Sequence, residues 1–402
     1  MENDLHFDRD AAIARLMYFL SVEGITGQEK AIGQAVVDTL LKAGVAKKSV
    51  RFDNAHKKIL LPTQTGNLIV TLSGTRPGPR RLFMTHLDTV PLCAGAKPVR
   101  KGNRIVPAGH TALGGDNRTG VACLVTTLTT LLERKLPHGP LTFLFTVREE
   151  SGLWGARFVD LQALCKPVEA FNVDGGSASE LTIGAVGAER WEVEILGKAA
   201  HAGVHPEHGI SATVVASLAL GEIYRDGWFG KITRDGKNGT SNIGSFGGQN
   251  GQSAGVATNV VTDYVHIRGE ARSHDSAFAS TITRAYREAF LKAGRAVHDH
   301  RRRPAKVRFS SRLDYYPFRL KESSPVVRHA VGAAERAGLE PRMRITNGGL
   351  DANWMVRHRI PTVTFGAGQN NPHTVEEFVD LGEFEAGCKL ALSLASLNDD
   401  VE

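Results

Sequence analysis

Short, almost wholly apolar runs alternate with segments of helical periodicity over the first part of the chain and again near its end. A run that is apolar at nearly every position is typical of a strand buried on both faces, and such strands require helices on both sides of a largely parallel sheet. The sequence therefore predicts an α/β fold. The predicted strands are residues 68–72, 81–84, 141–146, 170–173 and 361–365, with a helix at residues 119–132.

The pattern changes between residues 187 and 317, where strand, helix, strand, strand, helix and strand follow one another. This βαββαβ order is typical of a compact α+β sandwich. After residue 317 the alternation of helices and strands returns. The simplest organisation is one α/β domain, formed by residues 1–186 and 318–402, with a smaller α+β domain of residues 187–317 inserted into it.

Composition argues against several classes of protein. No apolar stretch approaches the roughly 20 residues of a membrane span, and the opening MENDLHFDRD lacks the apolar core of a signal peptide. The four cysteines form no CxxC pair, as expected in a reducing cytoplasm. The net charge of +7 has its densest run at residues 301–303, which lacks interleaved aromatic residues. We therefore expect a cytoplasmic protein that binds neither membranes nor nucleic acid and at most favours small anionic substrates.

Ionisable residues collect where the predicted buried strands end. The carboxyl ends of strands meet at one edge of an open α/β sheet, so these segments would pool two histidines and five carboxylates there. So many like charges cannot remain ionised together unless a cation holds them. Histidine and carboxylate ligands suit Zn²⁺, with Mn²⁺ or Co²⁺ also possible. The residues are His86, Asp88, Asp116, Glu149, Glu150, Asp174 and His373.

These residues stand in motifs that resemble the M20 family of metallopeptidases, which includes peptidase T, carboxypeptidase G and the aminoacylases. The resemblance covers nearly the whole chain, including Lys198-x-x-His201-Ala-Gly in the inserted domain. Residues 271–275 (ARSHD) and 348–353 (GGLDAN) are most similar to the peptidase T-like branch. The motifs are His86-x-Asp88, Gly-Gly-Asp116-Asn117, Glu149-Glu150-x-Gly152, Asn172-x-Asp174 and His373-x-x-x-Glu377.

The resemblance implies a centre of two divalent metal ions. His86 and Asp174 would bind one ion, Glu150 and His373 would bind the other, and Asp116 would bridge both. Each ion then has three protein ligands and an open position for water, as a catalytic zinc site requires.

The resemblance also implies roles for the neighbouring carboxylates. Asp88 would accept the second N–H of the His86 imidazole and so fix its tautomer. Glu149 would be the general base that deprotonates the attacking water. A cis peptide bond is expected between Asp116 and Asn117, as is common in the family.

For the inserted domain, the resemblance implies a lid that also forms a homodimer. His201 would reach the active site of the partner subunit and stabilise the tetrahedral oxyanion. Asn259, Arg272 and Gly349 would line the substrate cleft, where an arginine can bind a carboxylate through two parallel hydrogen bonds.

The function implied is a metal-dependent hydrolase that cleaves the amide bond of short peptides, an exopeptidase resembling tripeptide aminopeptidases. A deacylase or amidohydrolase of N-acyl amino acids, or a carboxypeptidase of the same family, would use the same metals and base. The sequence does not distinguish these substrates. A non-catalytic relative would have lost a metal ligand or the base, and this chain has lost neither.

Overall fold

The computed structural model describes residues 5–396 and divides into two compact units. The first unit contains the chain up to Gly184, the segment Arg319–Thr346, and the chain from Leu350 onwards. The second unit contains Ala185–Phe318 together with Asn347–Gly349.

Helices in the described residues are α1 (Arg9–Ser21), α2 (Lys30–Lys42), α3 (Gly115–Glu133), α4 (Trp154–Arg157), α5 (Ala212–Arg225), α6 (Ser276–Ala296), α7 (Pro325–Arg336), α8 (Asp351–Arg357) and α9 (Leu381–Ala395). Short 3₁₀ helices lie at Lys47–Ser49, Ala55–Lys57, Pro91–Cys93, Pro206–His208 and Gln249–Gly251. Strands are β1 (Val50–Phe52), β2 (Leu68–Leu72), β3 (Arg81–His86), β4 (Pro98–Lys101), β5 (Arg104–Pro107), β6 (Leu141–Thr146), β7 (Glu169–Val173), β8 (Glu180–Ala185), β9 (Gly187–Leu196), β10 (Gly230–Arg234), β11 (Lys237–Gly247), β12 (Tyr264–Ser273), β13 (Lys306–Tyr315), β14 (Phe318–Arg319), β15 (Arg342–Thr346), β16 (Thr362–Phe365), β17 (Gln369–Asn370) and β18 (Phe378–Asp380).

The first unit is built on a mixed sheet, and the predicted α/β class is confirmed. Its strand order is β1-β2-β6-β3-β7-β16-β8, with β15 beside β8. The central strands β6, β3, β7 and β16 run parallel, whereas β2 and β8 join them antiparallel. Parallel pairing brings the carboxyl ends of β3, β6, β7 and β16 to the same edge.

Helices cover both faces of this sheet because the buried strands alternate their side chains between two apolar clusters. On one face Phe83, Phe143 and Phe171 stack across neighbouring strands, with ring centroids 5.5 and 5.6 Å apart, and join a core that includes residues of α1, α2, α3, α7 and α9. On the other face Leu82 and Met84 pack in a cluster with residues of α4 and α8. The fully apolar strands of the sequence are explained by this two-sided burial.

A small sheet with the order β17-β18-β5-β4 belongs to the same unit. Strands β17 and β18 pair antiparallel, Gln369 with Val379 and Asn370 with Phe378. The loop between them contains His373, so the pairing of β17 with β18 determines the position of that residue.

The second unit is a five-stranded antiparallel sheet, in the order β10-β11-β12-β9-β13, packed against α5 and α6. The predicted βαββαβ elements are present, and β10 is an additional strand that the sequence analysis did not include. Strand β10 has a single buried apolar residue, Ile232, so its sequence lacks a strong strand pattern. It pairs with β11 across a tight hairpin at Asp235 and Gly236, which have φ angles of 50° and 72°.

No helix within residues 5–396 has the length and apolar character needed to cross a membrane.

Candidate metal centre

His86, Asp116 and Asp174 form a first group of ligand atoms at the carboxyl edge of the central sheet. His86 is the last residue of β3, and Asp174 directly follows the adjacent parallel strand β7. Nε2 of His86 lies 3.0 Å from Oδ1 of Asp116 and 3.9 Å from Oδ1 of Asp174. All three ligand atoms lie within 4.8 Å of one another, so a single ion could contact all of them.

Asp116, Glu150 and His373 form a second group that shares Asp116 with the first. Nε2 of His373 lies 3.4 Å from Oδ2 of Asp116 and 2.9 Å from both carboxylate oxygens of Glu150. Asp116 thus directs Oδ1 toward one group and Oδ2 toward the other. This is the arrangement that a carboxylate bridging two ions requires. The Asp116–Asn117 peptide bond is cis.

The charges of this cluster fit two divalent cations. Burial raises the pKa of Glu150 to about 7 and that of Asp174 to about 6, and the nearby Asp116 carboxylate adds to both shifts. Hydrogen bonds to Asp116 and Glu150 raise the pKa of His373 to about 10. Each of these raised pKa values means that the carboxyl group or imidazole binds a proton more readily than usual. A divalent ion supplies the same positive charge and displaces those protons, so the donor set suits divalent metal ions.

The pKa of His86 is raised by neighbouring carboxylates, as is that of His373. Its complete burial alone would lower the pKa, but hydrogen bonds to Asp116 and Asp88 outweigh burial and raise it well above the usual value. The imidazole is therefore held by carboxylates on both sides. Asp116 is also buried, yet its bonds to His373 and His86 lower its pKa.

Asp88 contacts both the His86 imidazole and the loop that follows β6. Nδ1 of His86 donates to the main-chain carbonyl of Asp88 at 3.0 Å, while the Asp88 carboxylate lies 3.5 Å away. That carboxylate accepts the main-chain N–H groups of Glu149 at 2.9 Å and Glu150 at 3.2 Å. The Asp88 carboxylate therefore holds the loop after β6 and also lies beside the imidazole. The main chain of Asp88 orients the imidazole.

Glu149 lies on this loop, between the end of β6 and α4. Its side chain is buried, and burial raises its pKa well above the ordinary value, with a further increase from the charges of Asp174 and Glu150. The preceding residue, Arg148, has a φ of 55°, and His373 has a φ of 65°. These conformations are uncommon for residues other than glycine and occur at functional loops more often than elsewhere. Glu149 is therefore a buried carboxylate beside the ligand groups, and its burial opposes ionisation.

In the second unit, His201 and Asn259 lie on paired segments. His201 forms a bridge with Val260, and the main-chain N–H of Ala202 donates to the carbonyl of Asn259 at 2.9 Å. Nδ1 of His201 accepts the N–H groups of Gly203 and Val204, both at 3.2 Å. The neutral ring therefore carries its proton on Nε2, which is the atom available as a donor.

Arg272 and Gly349 also belong to the second unit. The Arg272 guanidinium is held by Glu270 on the same strand, with Nε 2.8 Å and Nη2 3.2 Å from the carboxylate oxygens. It thus forms an ion pair here. Gly349 lies against Tyr315, where an added Cβ would stand 2.5 Å from the ring.

Several residues that support the centre received no role from the sequence. Glu377 accepts the N–H groups of Leu113, Gly114 and Asp116 and so fixes the loop that presents the bridging carboxylate. Gln369 donates to Asp174 at 3.3 Å. For Glu377 the position four residues after His373 was a usable signal, whereas nothing in the sequence indicated Gln369.

Two further buried carboxylates lie around the centre. Glu29 accepts the N–H groups of Gly27 and Arg148, and burial raises its pKa to about 7. Asp351, at the start of α8, is bonded to the Thr146 hydroxyl, and burial likewise raises its pKa to about 7.

Comparisons with known proteins agree with this architecture. Peptidase family M20/M25/M40 matches residues 82–396. A tripeptidase from Staphylococcus aureus superposes with a TM-score of 0.84 at 26% identity, covering 97% of this chain and 98% of that one. The aminopeptidase PepT from Bacillus cereus superposes with a TM-score of 0.79 at 30% identity, with the same coverage. Peptidase T from Escherichia fergusonii is 25% identical over 371 residues, or 83% of this chain and 86% of that protein.

The chain therefore belongs to Peptidase family M20/M25/M40, and it is a hydrolytic enzyme. Within that family its relatives place it on the peptidase T-like branch. Both predictions from the sequence, the family and the enzymatic class, are confirmed.

Proposed function

We propose that this enzyme is an exopeptidase that removes residues from short peptides, with an activity resembling that of tripeptide aminopeptidases. The observation that carries the proposal is the sharing of Asp116 between two ligand groups beside the buried Glu149. Two of the similar solved structures are a tripeptidase and an aminopeptidase, which favours peptides as substrates.

The proposed metals are two Zn²⁺ ions, with Mn²⁺ or Co²⁺ as alternatives, held by His86, Asp174, Asp116, Glu150 and His373. When bound, such ions polarise a carbonyl group and lower the pKa of water. Glu149 would accept a proton from the attacking water and deliver it to the leaving amine. Its raised pKa suits that role, because the carboxyl group must hold the proton between the two transfers.

For the second unit we propose that His201 donates from Nε2 to the developing oxyanion in a partner subunit, and that Asn259, Arg272 and Gly349 contact substrate. In the homodimer this requires, α5 would contribute to the interface. Its exposed side chains include Val214, Leu218 and Tyr224, the last of them 74% exposed, which is unusual for apolar residues on one helix. Sedimentation that gives a monomer with full activity would contradict the dimer and the role of His201.

Residues 1–186 and 318–402 would then form the catalytic domain, and residues 187–317 the lid. The cytoplasm remains the compartment we expect, since Cys93, Cys123, Cys165 and Cys388 are all free thiols in the described residues.

A Glu149→Ala substitution tests the mechanism. The variant should keep the metal content of the wild type, because Glu149 belongs to neither ligand group, and lose about 10²–10⁴-fold in turnover. Metal content by mass spectrometry and hydrolysis of a tripeptide measure the two effects. Turnover near that of the wild type would rule out Glu149 as the general base.

A substrate screen separates the proposed function from its alternatives. Di- and tripeptides with free amino termini should be hydrolysed, with Zn²⁺, Mn²⁺ or Co²⁺ supplied, and their N-acetylated forms should not. C-amidation should have little effect on an aminopeptidase. Cleavage confined to N-acyl amino acids would show a deacylase, and cleavage abolished by C-amidation would show a carboxypeptidase.

A further inference from the structure

Two histidines and a glutamate converge on the surface of the second unit, in the loop that follows His201. Nδ1 of His205 lies 3.2 Å and Nε2 of His208 lies 3.6 Å from Oε1 of Glu207. The ligand atoms of all three residues lie within 4.8 Å of one another. All three side chains are about half exposed, so solvent ions reach them.

We propose that His205, Glu207 and His208 form an additional binding site for a divalent transition-metal ion, separate from the centre in the first unit. Ligands about 2.0–2.1 Å from a tetrahedral ion lie roughly 3.3–3.4 Å from each other. The two distances from Glu207 bracket that value, and all three ligand atoms lie within 4.8 Å of one another, so one ion can contact all three once the stacked imidazoles turn toward it. Water would occupy the remaining position.

The main chain already holds this loop in a compact form. The N–H of His205 donates to the carbonyl of His201, that of His208 to His205, and that of Gly209 to Pro206. The segment Pro206–His208 is a 3₁₀ turn that begins with proline, which restricts its φ angle. The conformational entropy lost on binding an ion is therefore small, because most of the loop is fixed beforehand.

His300, from a neighbouring segment, contacts both Glu207 and His208. The N–H of His300 donates to the carbonyl of Glu207 at 2.8 Å. The rings of His205 and His208 stack with centroids 4.8 Å apart, and the ring of His300 packs against His208 at 4.3 Å. These contacts keep the imidazoles of His205 and His208 side by side.

The donor set indicates which ions the site would select. Two imidazole nitrogens and one carboxylate suit Zn²⁺, Ni²⁺ or Cu²⁺, whereas Mg²⁺ and Ca²⁺ prefer oxygen ligands. The main-chain N–H of Glu207 and the ring of His205 also hold the pKa of the Glu207 carboxyl below its ordinary value, so this ligand is ionised at neutral pH.

Zinc content after equilibrium dialysis at a fixed free Zn²⁺ concentration tests the site. The His205→Gln/His208→Gln double variant should bind about one Zn²⁺ fewer per chain than the wild type. His266→Gln is the matched control, because His266 is a single histidine 3.5 Å from Glu192 in the same unit, and it should bind as much as the wild type. Mg²⁺ and Ca²⁺ should give no difference between any of the proteins.

The difference between wild type and double variant isolates the surface site, since the ligands of the first unit are unchanged. A failure of the proposed peptidase centre would lower the zinc content of both proteins equally and leave that difference intact. Glu207→Gln, which keeps both imidazoles, should shift zinc binding to higher free concentrations if the double variant fails to fold. Equal zinc content in the wild type, the double variant and Glu207→Gln would overturn the proposal.

Discussion

Substituting Glu377 by glutamine tests whether this carboxylate positions the bridging ligand of the metal centre. Oε2 of Glu377 accepts the N–H groups of Leu113 at 2.7 Å and Gly114 at 2.8 Å, and Oε1 accepts that of Asp116 at 2.9 Å. The side chain is 1% exposed, so water cannot replace these bonds. Three main-chain N–H groups at and just before the start of α3 thus depend on one carboxylate.

Glutamine has one acceptor oxygen where glutamate has two. If the amide oxygen takes the place of Oε2, its NH₂ group faces the N–H of Asp116 and that hydrogen bond is lost. A hydrogen bond to a charged acceptor contributes about 1.5–3 kcal/mol. At about 1.4 kcal/mol per factor of ten, a loss confined to the metal-bound state corresponds to roughly 10–100-fold weaker metal binding. This equals the usual effect of removing a group that orients a ligand.

Metal affinity measured by competition with a coloured chelator is the direct assay, and urea unfolding of the metal-free protein shows how much of the loss is structural. Glu376→Gln is the matched control, because it is the same substitution one residue earlier, at an exposed side chain. The reasoning is refuted if Glu377→Gln and Glu376→Gln bind metal equally well and unfold at the same urea concentration.

Two glycine substitutions and one thiol-labelling experiment test the packing seen in the structure. Gly349→Ala should lower the free energy of unfolding by about 1–3 kcal/mol, because its Cβ would overlap the Tyr315 ring, and thermal melting measures this. Gly332→Ala, in α7 with no atom nearer than 3.4 Å, should instead gain up to about 1 kcal/mol, and the reverse order of melting temperatures would contradict both assignments. In a thiol-labelling assay Cys165 should react in the native protein while the other three cysteines react only in denaturant; rapid native labelling of all four would contradict their burial.

The residues expected to bind metal could be grouped from the sequence because their positions depend on local features. A buried strand is recognised from its own apolar residues, and its carboxyl end lies where the next polar residue begins. His86 and Asp174 therefore came together as soon as β3 and β7 were placed side by side in a parallel sheet. The same reasoning missed β10, whose pairing with β11 depends on a hairpin turn more than on apolar residues.

Contacts between distant segments could not be predicted in this way. Asp88 was expected to bond the imidazole two residues earlier. Its carboxylate lies 3.5 Å from that ring and also accepts N–H groups from a loop 61 and 62 residues later in the chain, which the sequence did not indicate. Arg272 shows the opposite case, since the carboxylate that occupies it stands only two residues away on the same strand. In both cases the structure shows a partner for the ionisable residue that the sequence analysis did not name.

Buried carboxylates around the centre fall into two classes by the donors they face. Asp88, Glu377 and Glu29 accept main-chain N–H groups, and these bonds fix the loops around the centre. By contrast, the hydrogen-bond donors that Asp116 and Glu150 face in the described part of the chain are histidine side chains. The first class is bonded to the main chain, and the second is bonded to side chains that can exchange a proton for a metal ion.

This division explains why a chain with a net charge of +7 holds so acidic a cleft. Carboxylates bonded to the main chain contribute to folding whether or not an ion is present, because their partners come with the fold. Neighbouring carboxylates such as Asp116 and Glu150 repel each other when both are ionised. Bound protons or metal ions remove this repulsion. Changing an acid of the first class to its amide should therefore weaken the fold, and should weaken metal binding only through a loop that the acid holds, as for Glu377. The same change in the second class should weaken metal binding directly and leave the fold intact.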